Sequence, residues 1–156
     1  MIIMRGLRDF MIKIQPANSP QYDALIKIWE SSVRATHNFL PESDIERLKP
    51  LIKEQYMPNV TLFVALDHQN IPRGFIGTDE NRIEMLFIDS NKRGQGIGKL
   101  LLEYVLNEIQ VDEVDVNEQN PQAIGFYQYM GFVVVKRVET DGEGKPYPIL
   151  TMKYQK

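Results

Sequence analysis

The sequence predicts an α/β domain built on one mixed sheet with helices packed against it. Segments with strand and helix patterns alternate along the chain, which is typical of layered α/β architecture. Between Met85 and Leu106 an apolar strand, a glycine-rich turn and an amphipathic helix follow one another, and hairpin-spaced strands precede them. A chain of 156 residues fits one domain. We expect this domain over residues 11–156, after a short extension at residues 1–10.

Composition and charge argue against several classes of function. A formal net charge of -3 disfavours a nucleic-acid binder, because phosphate neutralisation requires a surplus of Lys and Arg. There is no cysteine, and the two histidines, His37 and His68, lack metal-ligand spacing, so no metal is expected. No apolar run is long enough for a transmembrane helix, and the first ten residues lack the features of a signal peptide. We therefore expect a cytoplasmic protein that binds neither nucleic acid nor membranes.

The N-terminal part predicts one strand and two helical stretches. The alternating residues of Met11–Gln15 indicate the first strand. A helix follows, and Ser19 is the expected N-cap. Ser43 or Asp44 is expected to cap the second helical stretch, in which Pro50 predicts a kink or a division into two short pieces.

The rest of the chain predicts six strands and two helices. One helix follows the glycine-rich turn. The other begins at Asn120, which caps it ahead of Pro121, and ends at Gly131. The complete order is therefore β-α-α-β-β-β-α-β-α-β-β. The six strands are expected at residues 61–66, 73–77, 82–89, 111–116, 132–138 and 147–154.

The turn after the central strand has the features of an anion-binding site. Gly94, Gly96 and Gly98 open a helix directly after a strand, where backbone N–H groups and the helix dipole attract a pyrophosphate. Two common nucleotide motifs do not match. GxxxxGK[ST] requires a wider spacing than that from Gly94 to Gly98, and GxGxxG fails because residue 99 is Lys. From the turn alone, a loop that needs glycine only for its backbone conformation is an equal alternative.

The flanking residues resolve this ambiguity. Arg93-Gly94-Gln95-Gly96-Ile97-Gly98 fits R/Q-x-x-G-x-G/A, and the segment Asn120–Tyr127 is followed by Met130-Gly131-Phe132. Together these motifs resemble the GNAT superfamily of acyl-CoA-dependent N-acetyltransferases, over residues 61–138. Segments 35–40 and 144–150 are similar to those of a small group of bacterial acetyltransferases. The resemblance implies a mostly antiparallel central sheet, with helices on both faces, that is splayed at the cofactor-binding strand.

The resemblance also implies a donor site for acetyl-CoA as cosubstrate, with no metal. The central strand would pair with the pantetheine arm at a bulge, and the glycine-rich turn would bind the pyrophosphate. Many relatives have Pro where this chain has Ser90, and we expect little consequence for these backbone contacts. Asn120 would both cap its helix and touch the arm. The implied cofactor-binding residues are Leu86, Phe87, Ile88, Arg93, Gly94, Gln95, Gly96, Ile97, Gly98, Lys99 and Asn120.

One residue matches the family's general acid. Tyr127 would protonate the departing CoA thiolate or share its proton through a hydrogen bond. Helical periodicity alone favours a different interpretation, in which Tyr127 is a core aromatic on the same helix face as Ile124. The spacing from Asn120 to Tyr127 favours the catalytic role.

The general base has three candidates. Glu84 lies on the central strand, and simple alternation places it on the same face as Leu86 and Ile88. Asp115 aligns with a base of some relatives on the adjacent strand. His37 could act at neutral pH without a large pKa shift.

The implied reaction is direct transfer of an acetyl group from acetyl-CoA to a primary amine in a ternary complex. The acceptor could be a small molecule or a protein, and the sequence does not identify it. The alternative is a non-catalytic acyl-CoA-binding sensor or module, since it would share the same turn; Tyr127 favours the enzyme. Were the chain to form a homodimer, the last strand or Tyr147–Pro148 could contribute to it.

Overall fold

The computed structural model describes residues 12–36, 40–92 and 94–155. The predictions for residues 1–11, His37 and Arg93 therefore lie outside the described residues. Within them, strands and helices follow the predicted order. Their bounds are β1 (Lys13–Pro16), α1 (Tyr22–Thr36), α2 (Glu42–Leu51), β2 (Thr61–Leu66), β3 (Pro72–Asp79), β4 (Arg82–Ile88), α3 (Ile97–Glu108), β5 (Glu113–Asn117), α4 (Pro121–Tyr129), β6 (Phe132–Val138) and β7 (Ile149–Tyr154).

The strands form one sheet in the order β1-β2-β3-β4-β5-β7-β6. Every neighbouring pair is antiparallel except β4 and β5, which are parallel. The predicted mixed and mostly antiparallel sheet is thus confirmed. None of the helices in the described part of the chain is long and apolar enough to span a membrane.

Helices cover both faces of the sheet, as expected. On one face α3 buries Leu101, Leu102 and Val105 in a cluster that includes residues of α4. On the other face α1 buries Leu25 and Trp29 in a second cluster that continues into α2. Trp29 is therefore a core residue. These two clusters pack against opposite faces of the central strands and hold β4 in place. The candidate site depends on this position of β4.

The predicted helix caps on the N-terminal side are wrong. A short 3₁₀ turn precedes α1, and its N-cap is Asn18 and not Ser19; the Asn18 backbone N–H donates to Gln21 Oε1 at 3.1 Å. The N-cap of α2 is Pro41 and not Ser43 or Asp44, because the helix already begins at Glu42. Pro50 lies in the last turn of α2, and the chain continues as a π-helical and then a 3₁₀ turn, so the predicted division into short pieces is confirmed.

Strands β5 and β7 each begin two residues later than predicted. Val111 does not begin β5, because its N–H donates to the carbonyl of Val105 at 3.1 Å and closes the end of α3. Tyr147 does not begin β7, because its N–H donates to the carbonyl of Lys145 at 2.8 Å within a turn. The predicted β2 and β6 match the observed strands.

The sheet opens between its two parallel strands. The β4–β5 pairing contains only Arg82 opposite Glu113 and Ile83 opposite Val114, and the strands separate beyond these pairs. On its other edge β4 stays paired with β3 up to Ile88. The expected splay is therefore present, and it leaves one edge of β4 without a strand partner.

Candidate active site

A cavity of about 450 Å³ lies at the splay between β4 and β5. Its wall comprises the end of β4, the glycine-rich turn with the first turn of α3, one side of α4, and two residues of α1. Nine of the eleven predicted cofactor-binding residues therefore come together in one cavity. Their contributions differ and are described in turn.

The end of β4 supplies a backbone edge to this cavity. Leu86, Phe87 and Ile88 all line it, and they pair with Ile76, Phe75 and Gly74 of β3 on the opposite edge. Because the β4–β5 ladder stops at Ile83, the backbone polar groups on the open edge are available to a ligand. An extended arm with amide groups can add to such an edge as a further strand would.

The glycine-rich turn has the backbone geometry of an anion site. Gly94 has φ +80°, and Gly96, the N-cap of α3, has φ +83°, a left-handed conformation that favours glycine. Gly96, Ile97, Gly98 and Lys99 line the cavity together with Gly94. The amides of the first helical turn therefore face a potential anion.

One described member of the predicted set is not part of this wall. Gln95 is described, but its side chain is not among the residues that line the cavity. Arg93 lies outside the described residues. A cation absent from the prediction, Lys92, lines the cavity beside the turn and accompanies Lys99 there.

Tyr127 lies both in the core and on the cavity wall. Its side chain is 5% exposed and packs edge-on against the rings of Phe126 and Phe132, at centroid distances of 5.2 and 5.3 Å. Burial raises the pKa of the Tyr127 phenol above its ordinary value, so the group stays protonated at neutral pH. Asn120 is buried beside it and caps α4 as predicted, with Oδ1 accepting from the Ala123 N–H at 3.1 Å.

The prediction that Glu84 shares a face with Leu86 and Ile88 is wrong. Glu84 is a β-bulge: Gly77 pairs with Met85 and Thr78 pairs with Ile83, so Glu84 has no partner on β3. The bulge reverses the alternation along β4, because an extra residue shifts every later side chain to the opposite face.

The bulge directs Glu84 towards a second cavity of about 370 Å³, whose wall includes Tyr56, Asn59 and Asp79. Although Glu84 is an exposed residue, partial desolvation of its carboxyl raises the pKa. The positive charge of Arg82 lowers this pKa, and the negative charges of Asp79 and Asp115 raise it. Glu84 forms an ion pair with none of the cations in the described residues. A raised pKa makes this carboxylate a stronger proton acceptor than an ordinary glutamate.

The other two base candidates differ sharply from Glu84. The Asp115 carboxylate contacts the Arg82 guanidinium and accepts a hydrogen bond from Thr151 Oγ1 at 2.6 Å. Neither Asp115 nor Glu84 lines the cavity with Tyr127. His37 lies outside the described residues. Asp115 therefore helps to join β4 to β5 at the end where the two strands are still paired, and Arg82 of β4 also binds Glu113 of β5 there.

Sequence reasoning missed two groups of residues on the cavity wall. Ser32 and Thr36 of α1 reach it, and their i, i+4 spacing could have indicated a shared helix face. Gln122, Phe126 and Tyr129 of α4 line it at i, i+4 and i+7. A search for polar and aromatic residues with helical spacing around Tyr127 could have found this stripe.

Ser90 also has a structural role that the sequence did not reveal. The Ser90 backbone N–H donates to Ser31 Oγ at 3.2 Å, and the two hydroxyl oxygens are 2.5 Å apart. This contact links α1 to the segment between β4 and the glycine-rich turn. A proline at residue 90 could not donate the first of these bonds.

Comparison with known proteins identifies the family. The description "Acetyltransferase (GNAT) domain" belongs to the family model that matches residues 36–155. Peptidyl-lysine N-acetyltransferase YjaB of Salmonella typhimurium strain LT2 is 43% identical over 92% of this chain and 99% of its own length. The E. coli YjaB protein is 38% identical over 92% of this chain and 97% of its own length, and its apo solution structure superposes with a TM-score of 0.84.

A more distant structure shares the fold. The PaiA N-acetyltransferase from Thermoplasma acidophilum, solved in complex with coenzyme A, is 22% identical over 92% of this chain and 99% of its own, with a TM-score of 0.70. The family match, the two YjaB relatives and the splayed sheet agree. The chain therefore belongs to the GNAT family and is an N-acetyltransferase.

Proposed function

We propose that this enzyme transfers an acetyl group from acetyl-CoA to the ε-amine of lysine residues in proteins. The observation that carries the donor half is the cavity that joins the open edge of β4, the left-handed glycine turn and Tyr127. The acceptor half draws on the YjaB relatives, which are named peptidyl-lysine N-acetyltransferases. The extent of the family match supports one N-acetyltransferase domain over residues 11–156.

The chain's own residues fit acetyl-CoA in three places. The open backbone edge at Leu86–Ile88 can bond the amides of the pantetheine arm, and Asn120 lines the same cavity. The N-terminal turn of α3 with Lys92 and Lys99 can hold the pyrophosphate. The bound cosubstrate supplies a thioester whose carbonyl carbon accepts the amine as the carbon–sulfur bond breaks.

The proposed role of Tyr127 follows from its proton affinity. A thiol of ordinary pKa, about 8.5, is a stronger acid than a phenol whose pKa exceeds 10, so complete proton transfer to the thiolate is uphill. The hydroxyl of Tyr127 instead donates a hydrogen bond that stabilises charge developing on the departing sulfur. This role requires only that the phenol stays protonated, which its burial ensures.

The amine must lose a proton before or during attack, because a lysine ε-amine of pKa about 10.4 is almost fully protonated at neutral pH. We propose Glu84 as the general base, acting directly or through a water. Its raised pKa and its lack of an ion pair among the described residues support this choice over Asp115, which is engaged by Arg82 and Thr151.

The proposal is tested by thiol release from acetyl-CoA with matched acceptors. The first acceptor is a peptide with a blocked N-terminus and a single lysine, and its control is the same peptide with that lysine already acetylated. We expect thiol release and a mass gain of one acetyl group only with the free lysine. Release with small amines alone would contradict the protein acceptor, and CoA binding without release for any amine would favour the non-catalytic module.

A further inference from the structure

An ion-paired arginine lies behind the segment that joins β4 to the glycine-rich turn. Arg73, near the start of β3, donates from Nε to Asp67 Oδ2 at 2.8 Å and from Nη1 to Asp89 Oδ2 at 3.4 Å. The three side chains are only 15 to 21% exposed. None of them lines either cavity, and the proposed reaction uses none of them.

Asp89 is the residue at which the chain leaves the sheet. Its N–H still donates to the carbonyl of Arg73 at 2.9 Å, one step beyond the last β3–β4 pair. The next three residues, Ser90–Lys92, form a single 3₁₀ turn. Asp89 Oδ1 accepts from the Asn91 N–H at 3.1 Å, and the Asp89 carbonyl accepts from the Lys92 N–H at 2.7 Å. So short a turn has little stability of its own, and its shape therefore depends on Asp89.

This 3₁₀ turn leads directly into the glycine-rich turn. Lys92 lines the cavity at the splay, and Gly94 follows two residues later with φ +80°. In the described part of the chain, a Cβ on Gly94 would meet nothing within 4 Å beyond its chain neighbours, so packing does not hold the backbone there. Ser31 contacts the 3₁₀ turn from α1 through Ser90, and Arg73 supplies the contact from β3. The orientation of the amides that follow therefore depends on how firmly the 3₁₀ turn is held.

The guanidinium of Arg73 suits this position because two of its nitrogens bind different carboxylates. Asp67 is itself fixed in the β2–β3 turn, since its Oδ1 accepts from the N–H groups of Gln69 and Ile71 at 2.8 and 3.0 Å. The planar guanidinium thus joins a well-bonded turn to Asp89. A lysine ammonium is a point charge on a flexible stem and is a poor substitute for such a two-sided contact.

We propose that Arg73 is a positioning residue for the acetyl-CoA site. It acts through Asp89, and it holds the 3₁₀ turn, and hence the glycine-rich turn, in the conformation that binds the pyrophosphate. This inference rests on the proposed use of acetyl-CoA. A turn that is already ordered spares the ligand the entropic cost of ordering it. For the backbone of one residue, this cost is about 5- to 30-fold in affinity.

The test combines ligand affinity, steady-state kinetics and amide hydrogen exchange in Arg73→Met. The dissociation constant for CoA, measured calorimetrically, should rise about 5- to 30-fold, and KM for acetyl-CoA should rise with it. Both kcat and KM for the lysine peptide should stay near those of the wild type, because Arg73 does not line the cavity that holds Tyr127. In the ligand-free protein, the amides of residues 89–92 and 94–98 should exchange faster, whereas those of β5 should keep their rates.

Two further variants complete the test. Arg73→Lys keeps the positive charge but cannot bind the two carboxylates through separate nitrogens, so its CoA affinity should lie between those of the wild type and Arg73→Met. Arg47→Met is the matched control. Arg47 also contacts two carboxylates, those of Asp44 at 3.7 Å and Glu143 at 3.1 Å, but these lie on α2 and in the β6–β7 loop. Its replacement should leave CoA affinity unchanged.

Wild-type CoA affinity in Arg73→Met, a lower kcat with unchanged KM for acetyl-CoA, or an equal loss of affinity in Arg47→Met would overturn the inference and leave the proposed function intact. Should Arg73→Met fail to fold, Arg73→Lys decides: wild-type CoA affinity together with wild-type exchange after β4 would overturn the inference. Failure of the wild-type protein to bind CoA would overturn the proposed function as well.

Discussion

The hydroxyl group of Tyr127 can be removed while its ring contacts are kept. In Tyr127→Phe the edge-on contacts to Phe126 and Phe132, at 5.2 and 5.3 Å, can persist, so the free energy of unfolding should change by less than about 1.5 kcal/mol. Loss of one hydrogen-bond donor to charge that develops in the transition state costs about 10²- to 10³-fold in kcat. The variant should therefore lose that factor, which corresponds to about 2.7 to 4 kcal/mol of activation free energy.

The assay is thiol release at saturating acetyl-CoA and acceptor, with CoA affinity measured separately. CoA affinity should stay near that of the wild type, because the pantetheine and pyrophosphate contacts do not involve the phenol. Tyr154→Phe is the matched control: its ring lies 5.6 Å from that of Phe132 in the same aromatic cluster, but it does not line the cavity. Full activity of Tyr127→Phe across the pH range, or an equal loss in Tyr154→Phe, would refute the assigned role.

Three further predictions concern β4 and its neighbours. Glu84→Gln should lower kcat and raise the free energy of unfolding at pH 7, because the folded protein disfavours the charged carboxylate. This gain in stability should vanish below the ordinary glutamate pKa of about 4.3, where the carboxyl is protonated in both the folded and the unfolded protein. A pH series of thermal melts that shows no gain at pH 7 would contradict the raised pKa. Ser90→Pro should lower the free energy of unfolding, measured by urea titration, by about 1 to 3 kcal/mol. Its loss and that of Ser31→Ala should not add in the double variant, since both substitutions break the same contact between Ser31 and Ser90. Additive losses would disprove the coupling. Gly74→Ala should cost about 1 to 3 kcal/mol and weaken CoA binding, because its Cβ would lie 3.2 Å from the Phe87 backbone oxygen as well as 2.8 Å from Ile88 Cδ1. Gly125→Ala has open space around it and should gain about 0.5 to 1 kcal/mol. Equal effects of the two substitutions would contradict the packing argument.

Much of the donor site could be predicted because its chemistry is local in sequence. A strand, a glycine turn and a helix N-terminus are contiguous in the chain. The spacing of residues from the end of β4 to Lys99 can therefore be recognised directly in the sequence. Asn120 caps α4 through a bond to Ala123, three residues away, and this too is a local contact. Patterns this short can be recognised in a sequence without knowledge of the rest of the fold.

The acceptor side could not be predicted in the same way, because its features depend on contacts between distant segments. The exposed carboxylate of Glu118, for example, is paired with the Arg137 guanidinium. Glu42 is likewise paired with Arg34. Such pairs join residues that are 8 to 19 positions apart, and no periodicity reveals them.

The sequence by itself determined the family, the order of the strands and helices, and most of the residues that come together on the cavity wall. It could do so because glycine conformation, helix capping and apolar periodicity act over a few residues. Only the tertiary structure decided the direction of Glu84, since a bulge against β3 reverses alternation and is set by pairing across strands. It also decided that Asp115 is held by Arg82, and that Tyr129 meets Lys99 at the cavity rim, because these contacts join separate elements.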